Sequence, residues 1–242
     1  MALPQYRETF YVGRIPTGVK WLIIVTSAIF VLQYAGGPVV GRHLLPFYLA
    51  PDTVVHNFAV WQLFTYMFFH GGWLHLLLNM LALWMFGTPI EQDWGTPRFL
   101  KFYFLCGIVA GLCDVALHAL LGDWGTSTIG ASGAIYGLLA AFGTLYPEAP
   151  VLMLMLFPMK AKHMVLIFAG IEFISTLGPA NGVSSIAHLG GMAFGYLYLK
   201  RRLPRIPMPD WQGAYRQWKL GRAKKKFQVY MRNRGGRGPF VN

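Results

Sequence analysis

Four stretches of this chain contain no Asp, Glu, Lys or Arg: residues 21–41, 53–90, 124–147 and 173–199. A soluble domain carries about a quarter charged residues. Here 12% are charged and 55% hydrophobic, and the mean hydropathy is +0.44. A helix needs roughly 20 apolar residues to cross the hydrocarbon core of a bilayer. These runs hold spans at about residues 20–36, 72–87, 131–146 and 183–199, and two further apolar stretches with few charges, 98–121 and 159–177, bring the predicted number to six. The expected fold class is an all-α polytopic membrane protein built as a six-helix bundle. The first run lacks a small-residue cleavage site and reads as a signal anchor that stays. Cys106 and Cys113 lie two turns apart on one predicted helix, roughly 10 Å. That is too far for a disulfide, so they are read as packing residues.

The cations set an orientation. Of the 21 Lys and Arg, thirteen lie from Lys200 onward, and Arg7, Arg14 and Lys20 precede the first span. With a cytoplasmic N-terminus, six spans return the C-terminus to the same side, and Arg98, Lys101, Lys160 and Lys162 fall there too. Only Arg42 remains outside, as the positive-inside rule requires. The chain thus divides into an N-terminal arm (residues 1–19), a membrane core (20–199) and a basic cytoplasmic tail (200–242). The outer connection 37–71 carries Trp61, Phe64, Tyr66, Phe68 and Phe69, and reads as a segment lying in the interface.

This topology brings a set of polar residues to one depth. Spans two, four and six all start at the outer face. Span two starts with His70-Gly-Gly-Trp-Leu-His75 and carries Asn79; span four starts with Ser132; span six starts just before His188. His75 and Asn79 are four apart and share a helix face, as do Ser132 and Tyr136. Gly133 and Gly137, and Gly191 and Gly195, form small-xxx-small steps that let helices approach closely in lipid. Contact between spans four and six would put Ser132 within reach of His188, as a nucleophile and its base require. Gly130 leaves the chain entering span four free to turn tightly. Candidate oxyanion donors are Asn79, His75 and the backbone N–H of Ser132 at a helix N-terminus. Asp123 falls in an outer loop, and nothing in the spacing of Asp114 or Glu172 turns either toward His188. The expectation is a Ser–His dyad rather than a triad, with Tyr136 packed on the imidazole. Asp114 and Glu172 are read as structural, and His70 as a partner for loop carbonyls.

These residues resemble the rhomboid intramembrane serine proteases. Gly130-Ala-Ser-Gly133 is similar to the family's G-x-S-G motif, with Ser132 as nucleophile. Ala187-His-Leu-Gly-Gly191 is similar to its A-H-x-x-G motif, with His188 as base. His70, His75 and Asn79 match the second-span pattern H-x-x-x-x-H-x-x-x-N. The similarity runs from about Trp61 to Gly195. It implies a six-helix rhomboid-like bundle that cleaves single-span membrane proteins within or near their membrane helices. The family commonly has Trp-Arg in the first outer loop; here Gln62 follows Trp61.

Other readings stand beside this one. A rhomboid-like protein that binds membrane clients without cutting them would lack the serine or histidine, and both are present. A transporter would need corresponding interrupted spans in two halves, and none are seen. Zinc held by His70, His75 and His188 would lack an acid or cysteine neighbour in sequence, so neither a metal nor a cofactor is expected. The tail places Trp211, Tyr215 and Trp218 at helical spacing among cations, which suggests a basic amphipathic helix on anionic inner-leaflet lipid rather than a nucleic-acid site. The expected location is a bacterial plasma membrane with both termini cytoplasmic.

Overall fold

The structure, a computed structural model, describes residues 14–153, 157–176 and 182–200, together with Leu220, Arg222 and Lys224. The expected amphipathic helix of the tail lies outside these residues, apart from those last three positions, which are helical and exposed. Helices occupy all six apolar runs: α1 (Thr17–Ala35), α5 (Trp73–Ala82), α7 (Thr96–Leu121), α8 (Ser132–Leu145), α9 (Ala161–Thr176) and α10 (Gly182–Lys200). Helix α5 continues through one π-helical stretch, Leu83–Gly87, into α6 (Thr88–Trp94). Pro89 near the start of α6 has no N–H to give to the preceding turn, and the wider winding absorbs that loss. Among the described residues, three helical segments are long and apolar enough to cross a membrane unaided: Thr17–Ala35, Trp73–Trp94 and Thr96–Leu121.

Contacts between the helices fix their directions. A Cβ at Gly191 would fall 2.0 Å from Gly133 O, and one at Gly195 2.5 Å from Gly137 O, so α8 and α10 run parallel with their backbones touching. On α7, Ala110 faces Gly133 and Cys106 faces Gly137, so α7 runs against α8. Val165 meets Gly143 while Glu172 meets Tyr136, so α9 also runs against it. His75 lies against Gly130, and Phe86 packs on Phe142 at 5.3 Å between ring centroids, so α5 runs with α8. The starts of α5, α8 and α10 therefore share one end of the bundle, as the charge pattern required. The cysteines are free, and both pack on glycines: Cys106 on Gly137 and Cys113 on Gly190.

Buried Glu91 ties the opposite end together. Its carboxylate accepts the N–H groups of Gly18 and Val19, each at 2.7 Å, and the Thr96 hydroxyl at 2.6 Å. Negative charge on the unpaired N–H groups of a helix start is favourable. One expectation shifts at this end. The fifth helix begins at Ala161, not near residue 159, because Pro150–Met153 (β1) and Phe157–Lys160 (β2) pair as an antiparallel hairpin. Glu148, before the hairpin, pairs with Lys160 at 2.8 Å and also with Lys162; hydrogen bonds from the two ammonium groups hold its carboxyl down to about 2.

The outer connection holds three short helices, α2 (Gly37–Leu44), α3 (Pro51–His56) and α4 (Gln62–Thr65). It is only partly an interfacial segment. Trp61 and Phe64 are exposed, whereas Tyr66 and Phe69 are buried. Gln62, which departs from the family's pattern, is buried as well. Its amide oxygen accepts Ala50 N–H and the Thr53 hydroxyl, and its amide nitrogen donates to Pro46 O. A neutral amide thus fastens this loop with every polar atom satisfied.

Candidate active site

Ser132 is the first residue of α8, so its N–H has no partner within the helix. Two backbone links hold the chain that leads to it. Leu49 and Thr128 exchange N–H···O bonds of 3.1 and 2.8 Å, and Gly130 N–H donates to Tyr66 O at 3.0 Å. Gly130 takes φ +133, a conformation open to glycine and costly for other residues. Tyr66 in turn donates its hydroxyl to Gly107 O at 2.7 Å. The sequence marked Tyr66 only as one aromatic of the outer loop, and its inward position carried no signal in the residue pattern.

Parallel contact between α8 and α10 does what the glycine steps predicted. His188 Nε2 lies 2.6 Å from Ser132 Oγ. Tyr136, one turn into α8, stacks on the His188 ring with centroids 4.3 Å apart and planes 7° from parallel, as expected. Ser132, His75 and His188 are each partly exposed.

The expectation that no acid faces His188 does not hold. Glu172 Oε1 lies 3.0 Å from His188 Nδ1 and also accepts the Tyr136 hydroxyl. The ring N–H points off the line to Oε1, so the contact has ion-pair distance without full hydrogen-bond alignment. Asp114 lies away from the serine–histidine contact, and its two carboxylate oxygens meet no partner in hydrogen-bond geometry. It is fully buried on α7 beside His118, whose Nδ1 lies 2.9 Å from Asp114 O.

The second-span residues arrive with their own partners. Asn79 donates one amide hydrogen to His75 O at 2.7 Å, which leaves the other free to donate. The His75 ring accepts Gly71 N–H at Nδ1, and its Nε2 faces the Gly130 turn next to Ser132. The His70 ring stands beside the Phe68 carbonyl of the outer connection, and its backbone O accepts Gln33 Nε2 at 2.9 Å. The ring is fully buried, meets no partner in hydrogen-bond geometry, and packs edge-on to His75 at 4.9 Å.

The chain is similar to known proteins of one family. A family model described as the rhomboid domain matches residues 57–205. RHOMBOID-like protein 1 of Arabidopsis thaliana is 36% identical over 151 residues, 60% of this chain and 35% of that protein. Rhomboid protein 1, mitochondrial, of Saccharomyces cerevisiae is 35% identical over 139 residues, 54% of this chain and 38% of that protein. Rhomboid protease GluP of Bacillus subtilis is 28% identical over 167 residues, 69% of this chain and 31% of that protein. The chain thus matches less than half the length of each of these relatives. Since the matched segment takes in the whole of α5 through α10, and with them each residue gathered at the shared end of the bundle, the chain belongs to the rhomboid family.

Proposed function

We propose that this integral membrane protein is an intramembrane serine endopeptidase in which Ser132 is the nucleophile and His188 the general base. The supporting observation is the 2.6 Å contact between His188 Nε2 and Ser132 Oγ, beneath a stacked Tyr136. His188 takes the hydroxyl proton as Oγ attacks the scissile carbonyl carbon. The carbonyl π pair moves to oxygen, and the N–H of Ser132, the free amide hydrogen of Asn79 and the His75 ring are the donors available to that oxyanion. Collapse breaks the C–N bond, with the proton on His188 passing to the leaving amine. Water, deprotonated by His188, then attacks the acyl-enzyme, releases a carboxylic acid and restores the Ser132 hydroxyl.

The substrates are single-span membrane proteins. Their helices must unwind locally, because a peptide carbonyl inside a helix is already hydrogen-bonded and out of reach. The location is a bacterial inner membrane, with both termini cytoplasmic and the basic tail from Lys200 on anionic inner-leaflet lipid. In reconstituted protein with a model single-span substrate, Ser132→Ala is expected to abolish cleavage, and a fluorophosphonate probe is expected to label the wild type alone. Cleavage that persists in the variant sinks the assignment. A wild type that captures the substrate without cutting it would instead support the client-binding reading.

A further inference from the structure

We propose that Glu172 on α9 is a positioning residue for His188, so that the serine–histidine pair works as part of a Glu172–His188–Ser132 relay; this rests on the proteolytic reading above. An acid in the apolar part of a membrane protein is costly and marks a functional candidate. Glu172 is 8% exposed. Its Oε1 is 3.0 Å from Nδ1 of the imidazole whose Nε2 is 2.6 Å from Ser132 Oγ. The same oxygen accepts the Tyr136 hydroxyl, from the ring that stacks on His188. Buried Ser185, three residues before His188 on α10, lies near the carboxylate as well. Three helices thus converge on one carboxylate beside the base.

A purely structural acid would need only the Tyr136 hydroxyl. The contact on the ring nitrogen away from the serine is the one that bears on the chemistry. A neutral histidine can accept the Ser132 proton at Nε2 only if its own hydrogen sits on Nδ1. An acceptor-only carboxylate next to Nδ1 selects that tautomer. It also opposes the positive charge that forms when the proton arrives, inside a medium that screens charge poorly. Glu172 takes no proton itself. The oblique N–H direction is what a resting site shows before substrate tightens its hydrogen bonds. The other ionisable groups facing His188 are His75 on α5, Asp114 on α7 and Tyr136 on α8. Of these, Asp114 is the carboxyl group, and its Oδ2 lies 3.7 Å from His118 Nδ1 on its own helix.

Glu172→Gln isolates the charge, because its amide oxygen still accepts from Tyr136. In the reconstituted protein this variant is expected to lose about 10²-fold or more in kcat, with KM within about threefold of wild type. Glu172→Asp, which keeps the charge, is expected to recover part of the loss. Nitrogen-15 NMR of the wild type, with His188→Gln to assign the signal, is expected to show His188 protonated at Nδ1. Unchanged kcat in folded Glu172→Gln overturns the proposal, and so does a wild-type His188 protonated at Nε2, a result that needs no variant of Glu172. The two failures are distinct: an active Ser132→Ala rejects the protease itself, whereas a dead Ser132→Ala beside a fully active Glu172→Gln rejects only the relay.

Discussion

At the scale of single residues, the nucleophile is held by backbone geometry as much as by its base. Gly130 sets the turn. A Cβ there would lie 3.0 Å from both Cε1 and Nε2 of His75, in addition to the strain of φ +133. Gly130→Ala therefore faces two costs, a conformation that L-residues avoid and a push on a proposed oxyanion donor. Strain of this kind is worth about 1–3 kcal/mol. The variant is expected to melt lower in detergent and to lose at least about tenfold in turnover, as a donor displaced from the oxyanion does. Wild-type stability with wild-type turnover would mean that the turn has room the structure does not show. The residues legible in advance were those whose role depends on position along their own helix: Ser132, Tyr136 and His188 at its outer end, and the glycines at four-residue steps. Glu172 was not legible. Its distance from His188 depends on how α9 rotates against α10, and hydropathy along α9 does not encode that angle. The available signal was its presence as one of two acids within predicted spans. Gln62 was visible as a departure, but its three bonds join stretches of the outer loop whose meeting no local pattern specifies.

At the scale of elements, the contact between α8 and α10 positions the site. Without water to drive helices together, association in lipid depends on close packing between small residues. Gly191 and Gly133 allow that approach, and a Cβ at Gly191 would fall 2.0 Å from a backbone oxygen that cannot rotate away. Gly191→Ala is therefore expected to force the two helices apart. The Ser132–His188 contact would open, and cleavage would fall by about 10²-fold or more, since a displacement of about 1 Å already costs that much. Gly170 on α9 provides the control. A Cβ there meets nothing within 4 Å. Gly170→Ala is expected to keep full activity and to gain up to about 1 kcal/mol from helix propensity. Equal behaviour of the two variants in a turnover assay would remove the packing argument. The helices themselves were readable from apolar runs, charge-free for α5, α8 and most of α1 and α10 and interrupted by a few charges for α7 and α9, because lipid demands long apolar segments. The hairpin at 150–160 was not readable, since its apolar strands carry the same hydropathy as a helix end and differ only in pairing.

At the scale of the whole molecule, the charge distribution and the helix directions agree, although each was obtained separately. The starts of α1, α7 and α9 and the ends of α6, α8 and α10 share one end of the bundle, and among the described residues Arg14, Lys20, Arg98, Lys101, Lys160, Lys162 and Lys200 lie at or near these termini. Arg42 follows α1 at the opposite end, with Ser132. The bundle is therefore electrically polar along its axis, and a membrane that retains cations on the cytoplasmic side orients it one way. That orientation puts the proposed site toward the outer leaflet, facing substrates from the external side. Cysteines placed by Gly125→Cys and Pro147→Cys test it directly, because both positions are exposed and lie in loops at opposite ends. An impermeant thiol reagent added to intact cells is expected to label position 125 at once and position 147 only after the membrane is opened. Cys106 is buried, and Cys113, which is partly exposed, is replaced by Ala to keep the background low. The reverse pattern would place the serine at the cytoplasmic face, and peptide bonds on that side would then be the ones within its reach.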